Sequence, residues 1–172
     1  AALEGRIPKL VEKDDIRGVF HVHTNYSDGT NSIEELIKAC IERGYAYLGI
    51  SDHSQAAYYA GGLSVDDIKR QHEEIEKLNI KYNGFKVLKG IEVDILPDGS
   101  IDYDDEVLSW FDFIIASVHS SFNLDEDKMT ERVLKAMKNK YVTILGHPTG
   151  RLLLSREPYR INMDEVIRTA AE

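Results

Sequence analysis

The chain has 172 residues, 42% of them hydrophobic and 30% charged, with a formal net charge of −9. That length and balance predict one soluble domain with its own core, and the acidity argues against a non-specific nucleic-acid-binding module. No apolar run reaches membrane-spanning length, the N-terminus lacks a signal-peptide core, and the single cysteine, Cys40, excludes an internal disulfide, so a reducing, cytoplasmic setting is expected.

Short apolar runs alternate with amphipathic helices along the chain. GVFHV (18–22) is the first run. Ser32 and Glu35 form a capping-box pattern before Ile33, Leu36, Ile37, Cys40 and Ile41, and Gly44 closes that helix. AYLGIS (46–51) follows, and Ser64 starts a second helix with Val65, Ile68, Ile75 and Leu78 on one face. After FKVLKGIEV (85–93) a helical turn is expected over 104–110, then the run DFIIASV (112–118). A helix over 126–139 is built on Met129, Val133, Leu134 and Met137; VTILG (142–146) is the fifth run, and a last helix starts after Asn162 and continues to Glu172. The runs lack strict polar alternation, as parallel strands buried on both faces do. Strand and helix in alternation predict a parallel α/β architecture, open or curled into a barrel.

Each run ends in groups able to bind metal. His21 and His23 close the first, with Asp28 in the Ser-Asp-Gly turn beyond; Asp52 and His53 close the second, Glu92 and Asp94 the third, His119 the fourth and His147 the fifth. Parallel strands direct their C-terminal ends to one face, so His21, His23, Asp28, His53, Glu92, His119 and His147 are expected to converge. In an extended strand, residues i and i+2 share a side, so His-x-His offers two imidazoles to one ion. Imidazole and carboxylate without thiolate suit zinc, manganese or iron in a catalytic setting, and seven groups are too many for one tetrahedral ion. Two or three ions with Glu92 bridging is the economical reading; such clusters activate water and clamp phosphoryl oxygens. They would also offset the negative charge where an anion binds, so −9 does not exclude a phosphate substrate.

Other polar residues have plainer readings. His72 is expected to edge the core, Cys40 to be a small core residue, and DDIKRQHEEIEK to be a solvated helix face. Asp94 reads either as a ligand at the strand end or, like Asp98, as a turn residue. Asp52 reads either as a carboxylate orienting a histidine or as a strand-end cap. Arg151 either pairs bidentately with a phosphate or is a surface arginine, and Ser120, Ser121 and Thr149, beside ligand histidines, could hydrogen-bond the same anion.

FHVHTNYSDG, ISDHS, GIEVDILPDG, SVHS and LGHPTGRL together resemble the successive motifs of the PHP (polymerase and histidinol phosphatase) superfamily. The resemblance implies an α/β fold, a distorted (β/α)7 barrel of parallel strands, with a trinuclear centre that hydrolyses phosphoesters and the seven residues above as its ligands. Within the superfamily the chain is most similar to the C-terminal domain of family X DNA polymerases. That likeness implies a lead-in segment over 1–17, the domain over 18–172, a polymerase domain in cis and 3′–5′ exonuclease or phosphatase action on DNA 3′ ends; Glu92, as the bridging group, and Arg151, from its place after His147, are the expected catalytic residues. A free-standing phosphatase of the histidinol-phosphatase type and a non-catalytic metal-binding module are the alternatives. Val19 stands where the family has Asp, and the family's final strands and Asp-x-His motif lie beyond Glu172. The barrel is therefore expected to be incomplete at its C-terminal side and to cover its open side by self-association.

Overall fold

The computed structural model describes residues 2–172. Five strands form one parallel sheet in the order β1-β2-β3-β4-β5: β1 Gly18–Val22, β2 Tyr47–Ile50, β3 Lys86–Asp94, β4 Phe113–Ser117 and β5 Ile144–Leu145. The helices are α1 Ile33–Glu42, α2 Val65–Lys81, α3 Asp105–Leu108, α4 Glu126–Met137 and α5 Met163–Ala170. Strands consecutive in sequence are neighbours in space, so each connection crosses over the sheet, as parallel pairing requires. The result is the α/β parallel class expected, a curled sheet in the manner of a TIM-like barrel, with five strands among the described residues. Residues 3–17 are exposed and hold only short 3-10 turns. No described helix is long and apolar enough to cross a membrane.

Local chemistry accounts for the boundaries. Ser32 and Glu35 make the reciprocal capping box of α1; Ser64 does the same with Asp67 for α2. Side chains of Asp104, Asp125 and Asn162 accept from the first-turn amides of α3, α4 and α5. Two expectations are corrected. The last helix ends at Ala170, before Glu172. The fifth run is a strand only at Ile144–Leu145, because Val142 closes a turn onto Asn139 and the Thr143 hydroxyl, 2.7 Å away, takes the Ile114 amide that a ladder carbonyl would otherwise take.

The two faces of the sheet do different work. One face packs on the helices: Leu48, Ile50 and Val87 meet Ile33, Ile37, Cys40, Ile75 and Leu78, while Ile91, Val93, Ile114 and Ala116 meet Ile68, Leu108, Met129 and Val133. Each such aliphatic side chain contributes about 1.5–3 kcal/mol by leaving water. Strand alternation sends Gly90 and Glu92 to the other face. There Phe113 lies so close to Gly90 that a Cβ would sit 2.2 Å from its ring, and Phe20 meets Phe113 edge-on at 4.9 Å. The aromatic pair fills that face along the strands, and the polar groups take it over at the strand ends.

Candidate metal centre

Glu92, 1% exposed, is the hub. Its Oε1 lies 2.9 Å from His21 Nε2, 2.9 Å from His147 Nε2 and 3.4 Å from His119 Nε2. Its Oε2 lies 3.2 Å from His53 Nδ1 and 3.4 Å from His23 Nε2. Burial works against the charge on Glu92, but hydrogen bonds from His119, His147 and His21 outweigh it and hold its carboxyl far below the usual carboxylate range. Asp28 sits at the edge, 3.1 Å from His23 Nδ1 and 3.6 Å from His53 Nε2. The seven groups expected to converge do so.

The way His21 and His23 meet differs from the simple strand expectation. The β1–β2 register shifts between Val19 and Val22, and His21 takes a left-handed φ of 60°. A non-glycine residue there is strained and needs its surroundings to hold it, and such strain gathers at functional sites. The bulge brings the two rings to 5.5 Å, nearly parallel. Gly146 gives His147 a comparable approach, since a Cβ at that position would lie 2.1 Å from Ser117 Oγ.

Three further carboxylates set this geometry. Asp52 is fully buried and accepts from the Thr24 amide and hydroxyl, both at 2.7 Å, from Ser27 Oγ at 2.5 Å and from Gln71 Nε2 at 2.7 Å. It therefore ties the turn that carries Asp28 to α2, and does not touch a histidine directly. The turn reading of Asp94 is corrected: it ends β3, is 5% exposed, and its Oδ1 lies 2.6 Å from His119 Nδ1. Burial disfavours charge on His119, but its bonds to Asp94 and Glu92 outweigh that and hold the imidazolium up to about 9. Burial also raises the Asp102 carboxyl, which accepts from Ser54 Oγ, the Ala56 amide and the Asp94 amide and so joins the loops after β2 and β3. Asp98 does serve as a turn residue, accepting from Ser100.

The histidines line a cleft of about 530 Å³ whose walls include Tyr59, Gly150, Arg151, Leu152 and Arg156. Arg151 reaches the cleft from an exposed position; Ser120 and Thr149 lie outside its lining. Arg156, which sequence reasoning passed over, is better held: its Nε donates to the Gly150 carbonyl at 2.8 Å and its guanidinium lies 3.9 Å from the centre of the Phe122 ring. No local signal marks Arg156, since eight loop residues separate it from His147 and the bridge Leu152–Arg156 turns it back.

The donor set fits divalent cations. Among the described residues, the groups of three or more side chains able to hold an ion are His21–His23–Glu92, His23–Asp28–His53 and His53–Glu92–His119, each with ligand atoms within 4.8 Å of one another. These groups share members, as a multinuclear site would. His23 Nδ1 and His53 Nδ1 are buried and lie 3.1 Å from Asp28 Oδ1 and 3.2 Å from Glu92 Oε2 without forming hydrogen bonds, an arrangement that a cation between such atoms would relieve.

Residues 20–172 match the family model of the PHP domain. The chain belongs to the PHP domain family. It is 48% identical over 162 residues to the DNA polymerase/3′-5′ exonuclease PolX of Bacillus subtilis (strain 168), covering 94% of this chain and 28% of that protein. It is 30% identical over 163 residues to a protein named Probable phosphatase TTE1963 from Caldanaerobacter subterraneus subsp. tengcongensis, covering 88% of this chain and 57% of that one. The chain thus spans roughly a quarter to three-fifths of these relatives. Among solved structures, the histidinol phosphate phosphatase of Lactococcus lactis, crystallised with zinc, L-histidinol and phosphate, superposes with a TM-score of 0.58 at 17% identity, over 89% of this chain and 66% of that one. The last likeness establishes the shared fold; the first two relatives are named as a polymerase/exonuclease and a probable phosphatase.

Proposed function

We propose that this PHP domain is the metal-dependent phosphoesterase of a family X DNA polymerase, acting as a 3′–5′ exonuclease or phosphatase on DNA ends, with the polymerase domain in cis. The observation that carries this is the convergence of five imidazoles on one buried carboxylate, with the Nδ1 atoms of His23 and His53 close to carboxylate oxygens but not hydrogen-bonded to them. A neutral imidazole has one donor and one acceptor nitrogen, so five of them cannot satisfy one another around a single carboxylate. His21, His23, Asp28, His53, Glu92, His119 and His147 would hold two or three ions of zinc, manganese or iron, with Glu92 shared. Ions there supply Lewis-acid charge that lowers the pKa of a water and neutralises a phosphoryl group.

The chain's own residues bind and orient. Asp94 holds the His119 ring so that its Nε2 faces the centre. Arg156, fixed by the Gly150 carbonyl and the Phe122 ring, and Arg151 on the rim present guanidinium groups to phosphate oxygens. Aimed in advance, such donors stabilise charge that develops on those oxygens. The likeness to PolX favours DNA ends as substrate; the phosphatase relatives support a small-monoester phosphatase as the second reading.

Protein purified without chelator is expected to carry more than one equivalent of zinc, manganese or iron by elemental analysis. Chelation is expected to lower its Tm, because ions bind the folded site alone. With manganese, the domain within its full-length protein is expected to release nucleotides from the 3′ end of single-stranded DNA. A Tm indifferent to chelator and to excess metal would exclude the cluster, and efficient cleavage of histidinol phosphate with DNA untouched would move the assignment to the second reading.

A further inference from the structure

Two tyrosines stand exposed on one turn, and one of them, Tyr59, lines the cleft. Tyr58 is 85% exposed and Tyr59 65%, and their rings meet at 6.1 Å in a T-shaped pair. The turn that carries them is firmly built. Ala57 and Ala60 are buried beneath it, at 0% and 6% exposure. Its backbone is closed by bonds from Ala57 N to Ser54 O, Gly62 N to Ala57 O and Leu63 N to His53 O, at 2.8–3.1 Å. Gly62 has no room for a side chain, since a Cβ would lie 1.9 Å from Ser54 O. Small residues anchor the turn and large aromatic ones point off it. That is the reverse of what burial of apolar surface would select.

The position of Tyr59 says what such rings could meet. It lines the same cleft as the histidines and the two arginines, and its ring centre lies 6.5 Å from that of His53. A ligand with its phosphate over the histidines therefore has an aromatic face within reach of its next chemical group. On the same cleft wall Leu152 is 51% exposed and adds apolar surface beside Arg151. Cationic, metal-ligating and aromatic surfaces side by side match an anionic ester that also carries a flat ring.

We infer that Tyr59, with Tyr58 beside it, is a stacking platform for the 3′-terminal nucleobase of the nucleic-acid strand whose phosphate lies over the histidines. The inference rests on the phosphoesterase reading for the phosphate and adds the recognition of the base. Stacking on tyrosine is tolerant of base identity, because every base has a π-face, so the platform selects nucleotides over other phosphate esters without selecting sequence.

The test uses the 172-residue chain and a short 5′-fluorescein-labelled single strand of DNA, its last linkage a phosphorothioate to slow cleavage. A second strand is identical except for an abasic 3′-terminal sugar. Binding is read by fluorescence anisotropy, and hydrolysis is followed separately on the same sequences with ordinary linkages. Wild type is expected to bind the base-bearing strand about tenfold more tightly than the abasic one. Tyr59→Ala is expected to remove most of that ratio, Tyr58→Ala part of it, and Tyr59→Phe to retain it; the exposure of both rings leaves the fold and Tm unchanged in all three. Equal affinity of wild type for the two strands, no binding of either, or a preference that survives Tyr59→Ala would overturn the platform. Equal hydrolysis of both strands without a binding preference leaves the phosphoesterase reading standing and removes the platform. A base preference without hydrolysis under any divalent metal does the opposite.

Discussion

Asp52 and Glu92 are both withdrawn from water, at 0% and 1% exposure, near the ends of adjacent strands, yet their partners differ in kind. Asp52 is met by neutral donors at 2.5–2.7 Å: an amide, two hydroxyls and a carboxamide. Its charge is spread over hydrogen bonds that exist only to receive it, and the network is closed. Glu92 is met by five imidazoles, three of them on one oxygen, and His53 Nδ1 approaches its other oxygen at 3.2 Å without forming a hydrogen bond. That network is open and calls for further positive charge. A buried carboxylate is therefore structural or functional according to whether the protein alone completes its shell.

The largest effect expected from this contrast is on chemistry at Glu92. Glu92→Gln keeps the shape but removes the shared negative charge, so hydrolysis should fall about a thousandfold or more and metal content by at least one equivalent, measured by turnover in manganese and by elemental analysis. The metal-free Tm should change far less than at Asp52. If the variant keeps its metal and its rate, Glu92 is as closed as Asp52 and the contrast fails.

Asp52→Ala should behave in the opposite way. It strands the donors of Thr24, Ser27 and Gln71 in the interior, so stability in a urea titration should drop by about 3 kcal/mol even in metal-free protein. Loss of metal should follow only as far as the turn bearing Asp28 loosens. A large loss of bound metal with unchanged metal-free stability would instead make Asp52 part of the centre.

The smallest effect sharpens the comparison with a buried group outside the centre. His72 on α2 is 9% exposed, its ring meets Phe111 edge-on at 5.0 Å, and its Nε2 has no partner. Burial pushes it down to about 4, with Lys89 adding to the effect and Asp112 and Glu76 opposing it. The unfolded chain binds a proton on this imidazole as pH falls below its ordinary value near 6.5, whereas the folded chain resists down to about 4. Stability is thus lost as pH falls through that window. His72→Phe should remove about 2 kcal/mol of the fall between pH 7 and pH 5, read by denaturant titrations of wild type and variant in chelator. An unchanged slope would show that His72 takes up its proton over the same pH range in the folded and unfolded chains.

The ligand positions were legible in the sequence because parallel strands share a direction. His21, His23, His53, Glu92, His119 and His147 each follow or close an apolar run, and the parallel order of β1 to β5 carries all of them to one face. The helix caps at Ser32 and Ser64 were equally plain, since a capping box needs only residues three apart. Asp94 is ambiguous in the sequence because an Asp before Ile-Leu-Pro-Asp-Gly has the composition of a turn, and its bond to His119 joins residues 25 apart. Asp102 and Arg156 sit in loops with no periodicity at all.

By itself the sequence determined the parallel α/β class, the order of its elements, the capped helix starts and the residue types gathered at the strand ends, because all of these follow from short-range periodicity and from the fixed direction of parallel strands. Only the tertiary structure decided the bulge and left-handed backbone at His21, the choice of Glu92 as hub, the pairing of Asp94 with His119, the closed shell of Asp52 and the outward stance of Tyr58 and Tyr59. Each of these depends on which distant groups meet across loops once the core has packed, and a one-dimensional pattern does not encode those meetings.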